Sequence, residues 1–207
     1  MPILLPEKRY LAVFLGSDKL TSCNLTKKSK FLSLILRNKP EKGNIKLDKY
    51  GYAPVEDVLK SLNITLNELD EIVSTDTKGR YSYNGDKTKI RANQGHSINV
   101  DLCLKEVIPP KILFHGTAQK SLESIMEKGI LKMSRQYVHL SKDYNTALIV
   151  GKRHGNPIVL KIDTSKMLLD GFSFYLSENG VYLTEHVPAK YIRIVNTENK
   201  TDYLQYM

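Results

Sequence analysis

Between Lys89 and Leu102 the chain reads Lys-Ile-Arg-Ala-Asn-Gln-Gly-His-Ser-Ile-Asn-Val-Asp-Leu. The first half crowds hydrogen-bond donors around one glycine, and the second half alternates as a strand does. A turn needs one or two such residues to set its geometry. Here Arg91, Asn93, Gln94, His96 and Ser97 fall close together, which reads as an anion- or ligand-binding loop, or as an elaborate turn. Further on, His115-Gly116-Thr117 follows a short apolar run, and Val138-His139-Leu140-Ser141 places a second histidine on an expected strand. Glycine at a strand end permits close backbone approach by a ligand, with His115 and Thr117 offering polar groups beside it. A strand histidine between Val138 and Leu140 faces away from the apolar side. Each histidine alone reads first as a satisfied structural residue.

The elements that must position these groups fall into two styles. Residues 1–22 show no clear period and are left unassigned. Thr26 is the expected N-cap of a helix burying Phe31, Leu32, Ile35 and Leu36, stopped by Lys39-Pro40. Pro54 suits the first position of a helix carrying Val55, Val58, Leu59 and Leu62. Thr65-Leu66-Asn67-Glu68 is a capping box opening a helix with Leu69, Ile72 and Val73. Arg80–Tyr83, Asn84-Gly85 and Thr88–Arg91 read as a hairpin with a type I′ turn. Three helices and a basic hairpin follow the order of a winged helix, with Lys87, Lys89 and Arg91 on the wing. Pro109-Pro110 denies both helix and central strand, and short strands then alternate with short helices. Strands are expected at Ile112–Phe114, Tyr137–Leu140, Ile158–Ile162 and Val181–Leu183. Helices are expected at Ser121–Lys128, ended by Gly129, and at Tyr144–Lys152. The division is therefore an extension (1–22), a first lobe (23–103) and a second lobe (104–207), in an α+β chain.

Composition bounds the partners. The 207 residues carry a net charge of +9, which suits a polyanion. The excess is spread: residues 1–103 hold 17 Lys+Arg against 12 Asp+Glu (+5), leaving 14 against 10 (+4). Lys27–Lys49 concentrates eight basic residues against Glu41 and Asp48, as a nucleic-acid surface or a solvated helix face would. Cys23 and Cys103 stand far apart without metal-ligand spacing, which argues against a zinc site or a disulfide framework and fits a reducing compartment. No apolar run approaches the roughly 20 residues of a membrane helix. The first residues do not have the order of a secretion signal. A cytoplasmic protein with no membrane partner is the expectation.

Several of these strings together resemble the RNA 2′-phosphotransferases (the KptA family), from about Ser29 to about Ile192. They are Leu36-Arg37-Asn38-Lys39-Pro40, Asp76-Thr77-Lys78-Gly79-Arg80, Arg91-Ala92-Asn93-Gln94-Gly95-His96-Ser97 and Ser134-Arg135-Gln136. The two histidine motifs, Gly151–Pro157, and Glu185-His186-Val187-Pro188 complete the set. The histidine pair is similar to the nucleotide grip of ADP-ribosyltransferases of the His-His-hydrophobic type. The third, hydrophobic position falls at Val181 in Asn179-Gly180-Val181-Tyr182-Leu183-Thr184. No Gly-x-Gly-x-x-Gly loop indicates a Rossmann mode of binding.

The resemblance implies a winged-helix RNA-binding lobe followed by an ADP-ribosyltransferase-like lobe. It implies NAD⁺ as co-substrate, no metal, no obligate protein partner, and 2′-phosphorylated RNA, transfer RNA foremost, as substrate. Arg37, Arg80 and Arg135, with Lys78 nearby, would grip the 2′-phosphate; guanidinium groups hold such a dianion bidentately without losing charge. Arg91, Gln94, His96 and Ser97 would assist on the RNA side. His115, Gly116, Thr117, His139, Leu140, Ser141 and Val181 would hold NAD⁺. The implied reaction passes through a 2′-phospho-ADP-ribosylated RNA and releases nicotinamide and ADP-ribose 1″,2″-cyclic phosphate. Asn38 departs from the family, which has histidine there; asparagine donates to a phosphate but exchanges no proton near neutral pH. Tyr137 likewise stands where histidine is common. A transferase that caps phosphorylated nucleic-acid ends and stops after the first step is the alternative, and a non-catalytic winged-helix binding protein is a third reading.

Overall fold

The structure is a computed structural model that describes residues 10–195, with side chains from residue 24 onward. It divides into two compact units between Ala92 and Asn93.

The first unit opens with helix α1 (Tyr10–Arg37). The start expected at Thr26 is absent because nothing breaks the helix ahead of it. No proline lies in this stretch, and the lone Gly16 costs only about 1 kcal/mol against alanine. Residues 10–22 therefore enter a helix, and residues 1–9 lie outside the described part. A 3-10 turn at Pro40–Gly43 follows the helix, as Lys39-Pro40 predicts. Then come β1 (Tyr52–Pro54), α2 (Val55–Leu62), α3 (Leu66–Ser74), β2 (Tyr81–Tyr83) and β3 (Lys89–Ala92). Pro54 is the cap of α2 rather than its first residue, because it also closes β1. That strand, not foreseen from the sequence, pairs antiparallel with β3 and gives the sheet order β1-β3-β2. Its outer position tolerates proline's missing donor.

The capping box of α3 is present: Thr65 accepts from the Glu68 N–H, and Glu68 accepts from the Thr65 N–H at 2.8 Å. The hairpin loop is longer than the expected type I′ turn. Such a turn needs positive φ at Asn84 and Gly85; instead Lys87 alone in the loop has it, at 57°. The Asn84 side chain accepts the Lys89 N–H at 2.8 Å and closes the loop. Leu32, Ile35, Leu36, Val58, Leu69 and Ile90 form the centre of the core, all fully buried.

The second unit contains β4 (Ile112–Ala118), α4 (Leu122–Lys128), β5 (Ile130–Leu131), β6 (Val138–Leu140), α5 (Tyr144–Gly151) and β7 (Pro157–Asp163). It continues with α6 (Thr164–Leu169), β8 (Tyr175–Leu176), β9 (Tyr182–Thr184), β10 (His186–Val187) and β11 (Ile192–Ile194). The strand orders are β11-β7-β4, β6-β9-β8 and β10-β5, all pairings antiparallel. Gly129 ends α4 with a φ of 78°, as its place in the sequence predicts. A buried core of Leu113, Leu140, Leu160, Ile162, Met167 and Phe174 fills the unit.

The chain changes unit at Ala92, ahead of the expected boundary at 103/104, because β3 completes its sheet there. Beyond it the backbone bonds to the second unit: Gln136 N–H to His96 O at 3.2 Å and Val107 N–H to Phe174 O at 2.8 Å. Helices and antiparallel strands in each unit make the chain α+β.

Candidate active site

In the second unit, β4 carries the first histidine motif within its length rather than at its end, since its pairing with β7 runs through Thr117 and Ala118. Alternation places Leu113, His115 and Thr117 on one face and Phe114 and Gly116 on the other. Gly116 faces α5. A Cβ there would lie 1.7 Å from the Ala147 carbonyl oxygen, so this glycine serves helix packing and not the approach of a ligand. Main-chain bonds between Phe114 and Ser141, at 2.8 and 2.7 Å, bridge β4 to the end of β6.

That bridge brings the two histidines together. His115 Nδ1 lies 3.0 Å from the His139 carbonyl oxygen. A carbonyl only accepts, so Nδ1 carries the proton. Burial pushes the His115 pKa below its usual range, and the nearby His154 adds to this; the His139 bond acts in the opposite sense but does not prevail. His115 is thus a neutral imidazole whose Nε2 lone pair is an acceptor.

On β6, Val138 and Leu140 are buried and His139 is half-buried, as the alternation predicts. Leu140 is fully buried and its side chain belongs to the core. His139 pairs directly with Leu183 on β9, so the two share a face, which Val181 joins by alternation. Val181 is half-buried and anchored through Ser177, whose Oγ accepts its N–H at 3.0 Å. Tyr137 lies on this face too and packs on Tyr175, ring centroids 5.6 Å apart. His115, Thr117, His139, Ser141 and Val181 are therefore assembled in one unit, while Gly116 and Leu140 support it from within.

The same unit holds part of the polar loop. His96 and Asn93 are buried, while Gln94 is half-buried and Ser97 exposed. Gln136 ties this loop to the turn ahead of β6, its N–H reaching His96 O and its side chain donating to Val100 O at 2.8 Å. Arg135 is the exposed residue immediately before Gln136, in a turn closed by its own N–H on Lys132 O at 3.0 Å. The loop and Arg135 are thus held as one construction.

The first unit holds the other cations. Ser29, Ser33 and Arg37 recur at four-residue spacing on one face of α1. The Tyr81 hydroxyl donates to Ser29 O at 2.8 Å and lies 2.7 Å from Ser33 Oγ. This fastens the start of β2, next to Arg80, against the helix that ends in Arg37. Asn38, directly after α1, is exposed. Arg91 sits opposite both Ser82 and Tyr52 in the sheet. It is 8% exposed with its guanidinium 4.7 Å from the Tyr52 ring centre. It does not join Lys87 and Lys89, which are the exposed cations of the hairpin.

Arg80 is held by Asp76, whose carboxylate accepts both its N–H and its Nη1. Gly79, with φ of 52°, turns the chain tightly enough for that bond, its N–H reaching Asp76 O at 2.9 Å. Lys78 lies in the same turn and is exposed. Asp76, Tyr52 and Tyr81 were not singled out from the sequence. Only the four-residue spacing of Asp76 and Arg80 across a glycine hinted at the first.

Taken by fold and site, this is a two-unit α+β protein with Arg37 and Arg80 in its first unit and a strand-borne histidine pair in its second. The family model described as "RNA 2'-phosphotransferase, Tpt1 / KptA family" matches residues 24–186. A protein of Fusobacterium nucleatum subsp. nucleatum named "Probable RNA 2'-phosphotransferase" is 54% identical over 176 residues, covering 82% of this chain and 98% of the relative. One of the same name from Flavobacterium johnsoniae is 52% identical over 169 residues, covering 79% and 93%. The chain belongs to the RNA 2′-phosphotransferase, Tpt1 / KptA family.

Proposed function

We propose that the chain removes an internal 2′-phosphate from RNA with NAD⁺ as co-substrate. The products are RNA with a free 2′-hydroxyl, nicotinamide and ADP-ribose 1″,2″-cyclic phosphate, formed by way of a 2′-phospho-ADP-ribosylated RNA. In this reading the first unit is a winged-helix lobe that holds RNA and the second an ADP-ribosyltransferase-like lobe that holds NAD⁺. Transfer RNA carrying a splice-junction phosphate, met in the cytoplasm, is the natural substrate.

The observation that carries the reading is the bond from His115 Nδ1 to the His139 carbonyl at 3.0 Å. It fixes the tautomer and aims an acceptor lone pair, which suits the hydroxyls of a ribose. The half-buried His139, Ser141 and Val181 on the neighbouring strands give a nucleoside both polar and apolar contact. The residues present thus fit NAD⁺, which supplies an anomeric carbon for the phosphate oxygen to attack. Arg37, Arg80 and Arg135 neutralise and orient the phosphate, with Lys78 adding charge; catalysis by this chain is then positioning and electrostatics.

The test incubates the full chain with a 2′-phosphorylated RNA oligonucleotide, with and without NAD⁺, and resolves the products. Dephosphorylated RNA and the cyclic phosphate, formed only with NAD⁺, are expected. Phosphate release without NAD⁺ overturns the co-substrate. Asn38 favours a second reading, in which phosphorylated ends are capped and the reaction stops at ADP-ribosylated RNA. Accumulation of that species, relieved in Asn38→His, would establish it.

A further inference from the structure

We infer that Asp76 is a positioning residue that locks Arg80 for phosphate recognition. The inference rests on the assignment of Arg80 to the RNA phosphate. The Asp76 side chain is 4% exposed while that of Arg80 is 30% exposed. A carboxylate so enclosed is costly unless its lone pairs are used, and here the Arg80 N–H and Nη1 use them. One edge of the guanidinium is thereby spent within the turn. The rest of the fork is left partly exposed.

Long-range charge and positioning predict opposite signs for the removal of this carboxylate. A negative group beside an anion site weakens anion binding by repulsion, so its loss should tighten the hold on phosphate. An arginine released from its partner instead recovers rotamer freedom, which must be lost again on binding. Two further features make orientation the dominant effect. The turn is built around the contact, through the bond from Gly79 N–H to Asp76 O at 2.9 Å. A bidentate contact from a guanidinium to a phosphate would also depend for its strength on the direction of the fork.

The experiment measures the affinity of the full chain for a short 2′-phosphorylated RNA oligonucleotide and for its unphosphorylated twin, without NAD⁺. The ratio of the two affinities isolates the contribution of the phosphate. Four proteins are compared: wild type, Asp76→Asn, Arg80→Ala and the double variant. Asparagine keeps an acceptor for the Arg80 N–H, so the turn is retained, and thermal unfolding confirms it. Asp76→Glu, which keeps the charge but displaces it, runs through the same cycle as the second variant.

The expected result is a fall of about 10-fold in the phosphate preference for Asp76→Asn, with less than about 2-fold further change once Arg80 is alanine. A preference that rises or holds in Asp76→Asn overturns the inference, as does a full additive loss in the double variant. Absence of any preference in the wild type, or its survival in Arg80→Ala, would instead overturn the assignment of Arg80 itself.

Discussion

His115 shows how one side chain links folding to ligand choice. Its Nδ1 proton is committed to the His139 carbonyl, and burial holds the ring neutral. Its folded pKa lies below the ordinary value of 6.5. As pH falls through that value, the unfolded chain takes up a proton that the folded chain resists. Stability is therefore full above about pH 6.5 and declines on acidification, with a slope of at most about 1.4 kcal/mol per pH unit from this group. His115→Asn keeps a donor near the Nδ1 position and removes the titration. Melting temperatures between pH 5 and 8 should then fall less steeply on the acid side than in wild type, and an unchanged slope would remove His115 from the account. The pair of histidines was legible in the sequence because alternation in a strand is a local rule. Arg91 was not: counted among the exposed donors, it is instead buried on Tyr52, a partner on a strand that no local pattern announced.

At the scale of elements, local signals succeeded where the chain's own grammar decides and failed where tertiary pairing does. The Thr65–Glu68 capping box, the Gly129 stop and α5 needed only nearby residues. The strand β1 needed β3 as a partner, and the long α1 needed only the lack of a breaker, which a search for caps does not register. Gly116 is the sharpest case. Read from the sequence it makes room for a ligand; in the fold it makes room for α5, with the Ala147 carbonyl where a side chain would be. A methyl group cannot fit there unless helix and strand part, and overpacking of this kind costs about 3 kcal/mol or more. Gly116→Ala should lower the melting temperature sharply and weaken nucleotide binding through displaced β4 and α5. Wild-type melting with selective loss of binding would instead restore the ligand-side reading.

For the whole molecule the relevant quantity is charge. The net +9 is divided as +5 in residues 1–103 and +4 in residues 104–207, so net charge alone does not single out either part as the polyanion binder. Two kinds of recognition are superposed on this field. In the proposed reading, arginines fixed by neighbours, as Arg80 is by Asp76, would select a compact dianion at one place. Exposed lysines such as Lys87 and Lys89, at the hairpin, attract any phosphate backbone and carry no sequence information. The two should separate with ionic strength. If about four backbone phosphates are neutralised, affinity for unphosphorylated single-stranded RNA should fall about 50-fold between 50 and 200 mM salt. The extra affinity conferred by a 2′-phosphate should decline much less, because bidentate contacts to a half-buried arginine are poorly screened. Titrating both oligonucleotides at several salt concentrations measures the two slopes. Parallel lines, with the phosphate preference unchanged, would mean that recognition of the 2′-phosphate releases no further counterions. A preference that collapses with salt would reduce the arginine set to general electrostatics and leave its placement unexplained.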